Sequence, residues 1–433
     1  MSAAASSPPP LPAAAPAGGR RWPQATAWVL YDLANTVYAA TLTFLFTPYA
    51  AEVLGQKTGI GMVQTASMLL AGLLVPFAGA LVDCTARTRT YLTVTTLLCI
   101  GCMAGWAALD PVWLLPCFFV ANLTYNLALV FYNALLPAVA SPERTGLVSG
   151  IGVGVGYCGT ILVLLALLPL DSPQARFGTA ALAFLVAALP CMLWVRDPRP
   201  PLGSGRHAMR GALGQLRAVL AELPRQRPLL LFLLANFCLV DVLNTAVLFF
   251  ADLTRDVFGD AAARGELALL GMRFDGDEGI GGFVQVCGLL LNGTALLFGI
   301  GLGLLTDRRP LATMRLSAVV LLAALVGGAA FAGWSPLGYV LTLVLGGAFA
   351  LSGIWTAGRK VVLLLAPPER VGAFFGLYGI TTKLSVLGST IYAVVADHHG
   401  ARPAMLSQTV QLVIGLVLLT LVRLPRSGDA AAR

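Results

Sequence analysis

The chain has 433 residues, of which 58% are hydrophobic and only 11% charged, with a formal net charge of +8. Soluble domains carry about 25% charged residues, so this composition belongs in a bilayer. The positive charge does not indicate nucleic acid, because the basic residues fall in the gaps between apolar runs instead of forming one patch.

In chain order, residues 1–25 begin with a stretch rich in Ala, Pro, Ser and Gly. It lacks the basic start and apolar run of a cleavable signal and reads as a disordered cytoplasmic tail. Apolar runs then predict helices over 26–54, 59–82, 90–109, 112–140, 146–170 and 176–195, an N-terminal bundle spanning 26–195. A basic linker occupies 196–227. Within it Met209, Leu213, Leu216, Leu220 and Leu223 alternate with Arg210 and Arg217, so an amphipathic helix on the inner membrane surface and a solvated linker are both open. A second set follows over 228–254, 280–305, 311–332, 336–366, 371–397 and 402–424, with a C-terminal tail at 425–433. Residues 255–279 form the one sizeable outer loop. The expected fold is an all-α membrane protein with twelve transmembrane helices, arranged as two pseudo-symmetric six-helix bundles.

Basic residues assign the orientation. Arg20, Arg21, Arg87, Arg89, Arg144, those from Arg196 to Arg227, Arg308, Arg309, Arg315, Arg370, Arg423, Arg426 and Arg433 fall on one side. Lys57, Arg176, Arg255, Arg264, Arg273 and Arg402 fall on the other. The positive-inside rule makes the first side cytoplasmic and puts both termini there. The expected setting is a plasma membrane in a bacterial host and a vacuole-type membrane in a eukaryotic one.

The two halves repeat each other. Asp32-Leu-Ala-Asn35-Thr36 and Asp241-Val-Leu-Asn244-Thr245 both read D-x-x-N-T inside apolar segments. Gly79-Ala-Leu-Val-Asp83 matches Gly303-Leu-Leu-Thr-Asp307, and Pro142-Glu143-Arg144-Thr145-Gly146 matches Pro368-Glu369-Arg370-Val371-Gly372. A carboxylate near the centre of a spanning helix costs roughly 2.5–3.5 kcal/mol on insertion scales. Chains that carry that cost at matching places in two halves are usually transporters built from repeats around a midplane site.

These features resemble the major facilitator superfamily: six plus six helices, G-x-x-x-D closing helices two and eight, and a long central loop. Arg87 fits the first motif, whereas Cys84 and Ala86 replace its usual basic residue and glycine. The resemblance implies that Asp83 and Arg87 latch neighbouring helices in one access state. Asp307, Arg308, Glu143, Arg144, Glu369 and Arg370 join them as gating candidates. Helix five has Gly150, Gly152, Gly154, Gly156 and Gly159 but no proline after them, so the antiporter signature of drug exporters is not matched. A closer resemblance covers nearly the whole chain. Ala27-Trp28-Val29-Leu30-Tyr31-Asp32, Tyr132-Asn133-Ala134-Leu135-Leu136-Pro137 and Phe374-Phe375-Gly376-Leu377-Tyr378, followed by Lys383, are similar to the vacuolar autophagy-type effluxer group, in its largely uncharacterised bacterial branch. The fungal branch is associated with release of amino acids from the vacuole, which implies an amino-acid substrate here.

Asp32, Asn35 and Thr36 lie at i, i+3 and i+4 and share one helix face, as do Asp241, Asn244 and Thr245. In the fold implied, both faces line a central cavity and supply a pair of carboxylates flanked by amides and hydroxyls. The alternative is that these groups hydrogen-bond neighbouring helices and lock the bundle. A carboxyl withdrawn from water suits reversible protonation, so Asp241 and Asp32 are the proton-coupling candidates. Arg359 and Lys383 are cations within the second half, and an arginine fork binds a carboxylate well. The alternative for either is an ion pair with Asp241. Lys360 is expected to snorkel to the inner surface. Tyr132, Asn133 and Tyr378 complete the substrate set, with Tyr38, Gln64, Tyr125, Asn126, Gln285 and Asn292 as further polar positions.

Weaker signals carry less weight. Cys99-x-x-Cys102 lacks a second pair and sits mid-span, so all eight cysteines read as small apolar helix residues. Asp275-Gly-Asp277-Glu278 lacks the full ligand series of a calcium loop, His398-His399 has no partner ligands, and the sequons at Asn122 and Asn292 lie inside helices. No metal set, nucleotide-binding loop or nucleophile–base pair appears, so neither a cofactor nor an enzyme is expected. The expected function is secondary active transport of small solutes by alternating access, by a protein expected to be monomeric. Amino acids or related zwitterions come first, with a proton as coupling ion. Alternatives are another organic anion, a sugar-like solute, a lipid, or a scaffold or sensor without turnover.

Overall fold

The computed structural model describes residues 21–55, 58–106, 108–197, 205–384 and 387–424. The expectations on residues 1–20, on Lys57, on linker residues 198–204 and on the tail 425–433 lie outside the described residues.

The helices are α1 (Trp22–Leu54), α2 (Gly59–Thr85), α3 (Thr88–Gly105), α4 (Pro111–Ala134), α5 (Thr145–Leu167) and α6 (Pro173–Trp194). Then come α7 (Arg227–Ala263), α8 (Gly276–Arg308), α9 (Pro310–Phe331) and α10 (Pro336–Leu365). Helix α11 is described in two stretches, Val371–Lys383 and Leu387–His399, and α12 is Ala401–Leu421. All but α3 are apolar and long enough to cross a membrane; α3 starts with Arg89 among threonines and is more polar. Leu73, Val186, Leu297 and Val410 are exposed, as side chains facing lipid tails are free to be.

Local chemistry sets the ends. Proline stands in the first turn of α4, α6, α7, α9 and α10, where its missing N–H costs no helical hydrogen bond. Ser172 and Ser335 accept hydrogen bonds from the amides of Ala175 and Gly338, capping α6 and α10.

Two boundaries differ from the sequence expectation. Helix formation begins at Arg21, inside the stretch expected as tail, with Ala25 already buried and Arg144 5.9 Å from the Trp22 ring. The outer loop is shorter than 255–279, because α7 continues to Ala263. Phe258 packs edge-on against Phe283 and Tyr339, so burial of an aromatic carries the helix beyond its apolar run. A hairpin of Ala268–Leu269 and Met272–Arg273 then leads into α8. Of the two readings left open for the linker, it is the helix that forms, Gly205–Glu222, packed beneath α2 with Ala208, Ala212 and Val219 buried, while Met209, Leu213 and Leu220 remain exposed.

Within the first set α1 packs against α5 and α6; within the second, α7 packs against α12. The sets meet along two seams, α5 against α8 and α2 against α11. Both seams are lined by glycine. A Cβ on Gly150 would stand 2.2 Å from the Gly299 carbonyl oxygen, and one on Gly79 would stand 2.1 Å from that of Gly372. Backbone meets backbone at these points, an approach that only small residues permit.

Candidate substrate site and gate

The seams close one end of the molecule, the end rich in arginine. There the two repeated motifs prove to be partners in space. The Asp83 carboxylate, ending α2, accepts hydrogen bonds from the amides of Gly372 (2.9 Å) and Ala373 (2.8 Å) at the start of α11. The Asp307 carboxylate, ending α8, accepts from Gly146 (2.6 Å) and Leu147 (2.9 Å) at the start of α5. Each half thus caps a helix N-terminus of the other, where free amides and the helix dipole favour an anion. Glycine is needed at both receiving positions: a Cβ on Gly146 or Gly372 would fall within 2.9 Å of the carboxylate.

The caps differ in what supports them. Lys360 donates to Asp307 (2.6 Å) and to the Pro142 carbonyl (2.8 Å), and is only 5% exposed. It does not snorkel, because Asp307 offers it a buried counter-charge closer than the surface. Asp83 instead receives Gln215 (3.1 Å) from the linker helix, whose Glu222 pairs with Arg370 (3.0 Å). Arg87, Arg308 and Glu369 are exposed, and neither arginine forms an ion pair among the described residues. Arg144 rests over Trp22 and has no part in the caps.

Past the seams lies a cavity of about 310 Å³ between the two sets of helices. Helices α1, α2 and α4 contribute Tyr38, Gln64, Asn122, Tyr125, Asn126 and Asn133. Helices α7, α10 and α11 contribute Asn244, Trp355, Arg359, Tyr378, Thr382 and Lys383. Among the described residues, two cations therefore face the cavity and no carboxylate lines it.

Asp32 is 6% exposed and grips Arg359 with two hydrogen bonds, 2.8 and 3.2 Å long. The ion pair joins α1 of one set to α10 of the other. The Arg359 guanidinium lies 5.4 Å from the ring centres of both Trp28 and Tyr132, which stack on each other at 4.3 Å. Trp28 donates its indole N–H to the Tyr132 carbonyl, fixing that stack. Gly152 makes room: a Cβ there would meet Asp32 Oδ2 and Trp28, each at 2.9 Å. The alternative weighed for Arg359, a pair with Asp241, is replaced by this pair with Asp32.

The two D-x-x-N-T faces do not form a carboxylate pair. Asp32 reaches across to the other set, with Thr36 donating to its backbone carbonyl and Asn35 buried behind the cavity wall. Asp241 stays within its own set, accepting from the Gly388 amide and the Gln411 side chain, each at 2.7 Å. Thr245 is buried beside it, and only Asn244 of that face reaches the cavity. A helical turn is 3.6 residues, so i+3 diverges from i by about 60°. In α7 that angle separates the cavity from the packing face. Lys383 lines the cavity and has no ion-pair partner among the described residues.

Asn122 is the main cavity residue read only as a sequon. It donates to Ser67 (2.7 Å), and with Asn126 and Asn133 it makes an amide stripe along α4 whose i, i+4, i+11 spacing was visible in the sequence. Tyr132 Oη, Tyr378 Oη and Asn133 Oδ1 are buried without a hydrogen-bond partner near Arg359.

A two-fold repeat of membrane helices, crossed carboxylate caps closing one end and a polar central cavity together define a secondary transporter. The chain matches the Major Facilitator Superfamily over residues 30–380 and belongs to that family. Among relatives, it is 25% identical to an uncharacterized MFS-type transporter, YxiO, of Bacillus subtilis, over 94% of this chain and 96% of the other. It is 28% identical to autophagy-related protein 22-1 of Aspergillus fumigatus over 66% of this chain, a match spanning 49% of the fungal protein. The fold is shared with a bacterial homologue of the iron transporter ferroportin in its outward-facing state (TM-score 0.69, 15% identity, 95% of this chain and all of that one). It is also shared with the human organic anion transporter MFSD10 (TM-score 0.64, 17% identity, 93% of this chain and all of that one).

Proposed function

We propose that the protein moves small carboxylate-bearing solutes, amino acids first among them, by rocking its two helical sets around the Arg359 cavity. The observation that carries this reading is the cavity's charge: among the described residues Arg359 and Lys383 face it and no carboxylate does. A guanidinium and an ammonium bind a carboxylate well, and buried polar groups without partners are where a solute replaces missing hydrogen bonds. The ammonium of an amino acid would meet amide oxygens and the faces of Tyr38 and Tyr125, not Asp32 or Asp241.

In this scheme a substrate carboxylate competes with Asp32 for Arg359. Because that pair joins the two sets, its exchange couples binding to their separation. The arginine-rich end is cytoplasmic by the positive-inside rule, so the closed seams leave the cavity to the outer side. In this scheme accumulation is driven by protonation of Asp241, a fully buried acid outside the Arg359 pair.

The organic-anion reading is favoured by the same lack of a lining carboxylate. Counterflow in proteoliposomes with matched solutes, such as aspartate against succinate or alanine against lactate, separates the two. Saturable exchange of the amino acid, lost in Lys383→Ala, supports the first reading. Exchange confined to the deaminated partners replaces it with the second. Exchange of neither sinks both.

A further inference from the structure

A second built site lies inside the C-terminal set, away from the cavity. Asp241 Oδ2 is already satisfied by Gly388 and Gln411, but Asp241 Oδ1 has no hydrogen-bond partner. Neither has Thr245 Oγ1 or Gln408 Oε1, and the three residues are 0%, 1% and 3% exposed. The Gln408 amide is oriented, not free to flip, because its nitrogen donates to the Gly388 carbonyl (3.1 Å) and to Ser407. Its oxygen is therefore turned to the carboxylate side.

Gly388 shows that these groups converge on one point. A Cβ added there would stand 2.8 Å from Gln408 Oε1, 2.8 Å from Thr245 Oγ1 and 3.2 Å from the Asp241 carboxyl carbon. A Cβ there would be too close to be accommodated, so only glycine lets the three groups approach, and three buried unpartnered oxygens converging in this way are the donor set of a hard cation. Leaving them unsatisfied in an apolar interior costs about 1–3 kcal/mol per group.

Charge balance selects the valence. No cation among the described residues reaches Asp241: Arg359 is held by Asp32, Lys360 by Asp307, Arg402 donates to the Ala332 carbonyl, and Lys383 faces the cavity. One carboxylate neutralises one positive charge, and a divalent ion would leave a net charge out of water. The close convergence of the three groups beside Gly388 favours a small ion.

We propose that Asp241, Thr245 and Gln408 bind a dehydrated sodium ion, in alternation with the proton assigned to Asp241 above. The inference rests on Asp241 as the coupling group, but binding is testable without transport. The unfolding midpoint of the purified full-length protein is measured at pH 8 in 100 mM NaCl, KCl or choline chloride. Wild type is expected to melt roughly 3 °C higher in sodium than in potassium. Thr245→Val keeps the shape and both donors to Asp241 Oδ2, and should raise the half-saturating sodium concentration at least tenfold while leaving the potassium midpoint unchanged. Gly388→Ala drives a methyl against the Thr245 and Gln408 oxygens and should abolish the sodium shift.

Equal midpoints in sodium and potassium would overturn the proposal and leave the proton alone at Asp241, and a Thr245→Val protein with wild-type sodium response would overturn the assigned ligands. Sodium stabilisation in a protein that exchanges no solute would support the site and refute the transport reading. Solute exchange without sodium stabilisation would do the reverse.

Discussion

Asp32→Asn tests whether the Arg359 ion pair holds the two helical sets together. The substitution preserves shape and one hydrogen-bond acceptor but leaves the guanidinium, 7% exposed, without a counter-charge. Removing one partner of a buried pair costs about 3–5 kcal/mol, because the survivor keeps its desolvation penalty. The amide's remaining bond to Arg359 and the Trp28 and Tyr132 rings offset part of this, so about 3 kcal/mol is expected. Arg359→Gln leaves Asp32 similarly stranded and should cost about the same. The double variant Asp32→Asn/Arg359→Gln buries no charge and should fall well short of the sum, giving a coupling energy of about 2–3 kcal/mol. Unfolding of all four proteins in one detergent, followed by tryptophan fluorescence, completes the cycle. Additivity within about 0.5 kcal/mol would refute the claim that these side chains are energetically paired.

Further outcomes follow from the gate. Asp307→Asn should cost about 3–5 kcal/mol, since it strands Lys360 as well as weakening the α5 cap; a loss below about 1 kcal/mol would contradict the buried Lys360–Asp307 pair. Gly150→Val forces α5 away from the Gly299 carbonyl, and should destabilise the closed end by about 1–3 kcal/mol and increase thiol labelling of a cysteine introduced at Ser149. Unchanged labelling would mean that the seam does not close that end. Arg370→Ala removes a half-exposed contact to Glu222 and should change the midpoint by less than about 1 kcal/mol. A larger loss would show that the linker helix clamps α11 more firmly than that ion pair suggests. Asp241→Asn should abolish uphill uptake while sparing exchange, and uphill uptake at the wild-type level would remove Asp241 from the coupling role.

What the sequence determined by itself was whatever local chemistry and repetition encode. Apolar runs longer than a bilayer is thick leave the backbone only one structure, so the helices and their two-fold organisation were legible. The repeats marked Asp83, Asp307, Gly146 and Gly372 as important positions, and the glycine at each cap is a local necessity once a carboxylate approaches. Which carboxylate meets which amide was not legible, since Asp83 and Gly372 lie in different halves and nothing in their own neighbourhoods encodes the partner. The same holds for the charges. The sequence placed Arg359, Lys383, Asp32 and Asp241 within membrane helices, but only the approach of α10 to α1 paired Arg359 with Asp32 and left Asp241 among uncharged partners. Equivalent motifs therefore met different fates: Asp32 faces the opposite set across the interface, whereas Asp241 faces α11 and α12 of its own. Electrostatic pairing depends on distances of a few ångströms between segments hundreds of residues apart, and those distances exist only once the helices have packed.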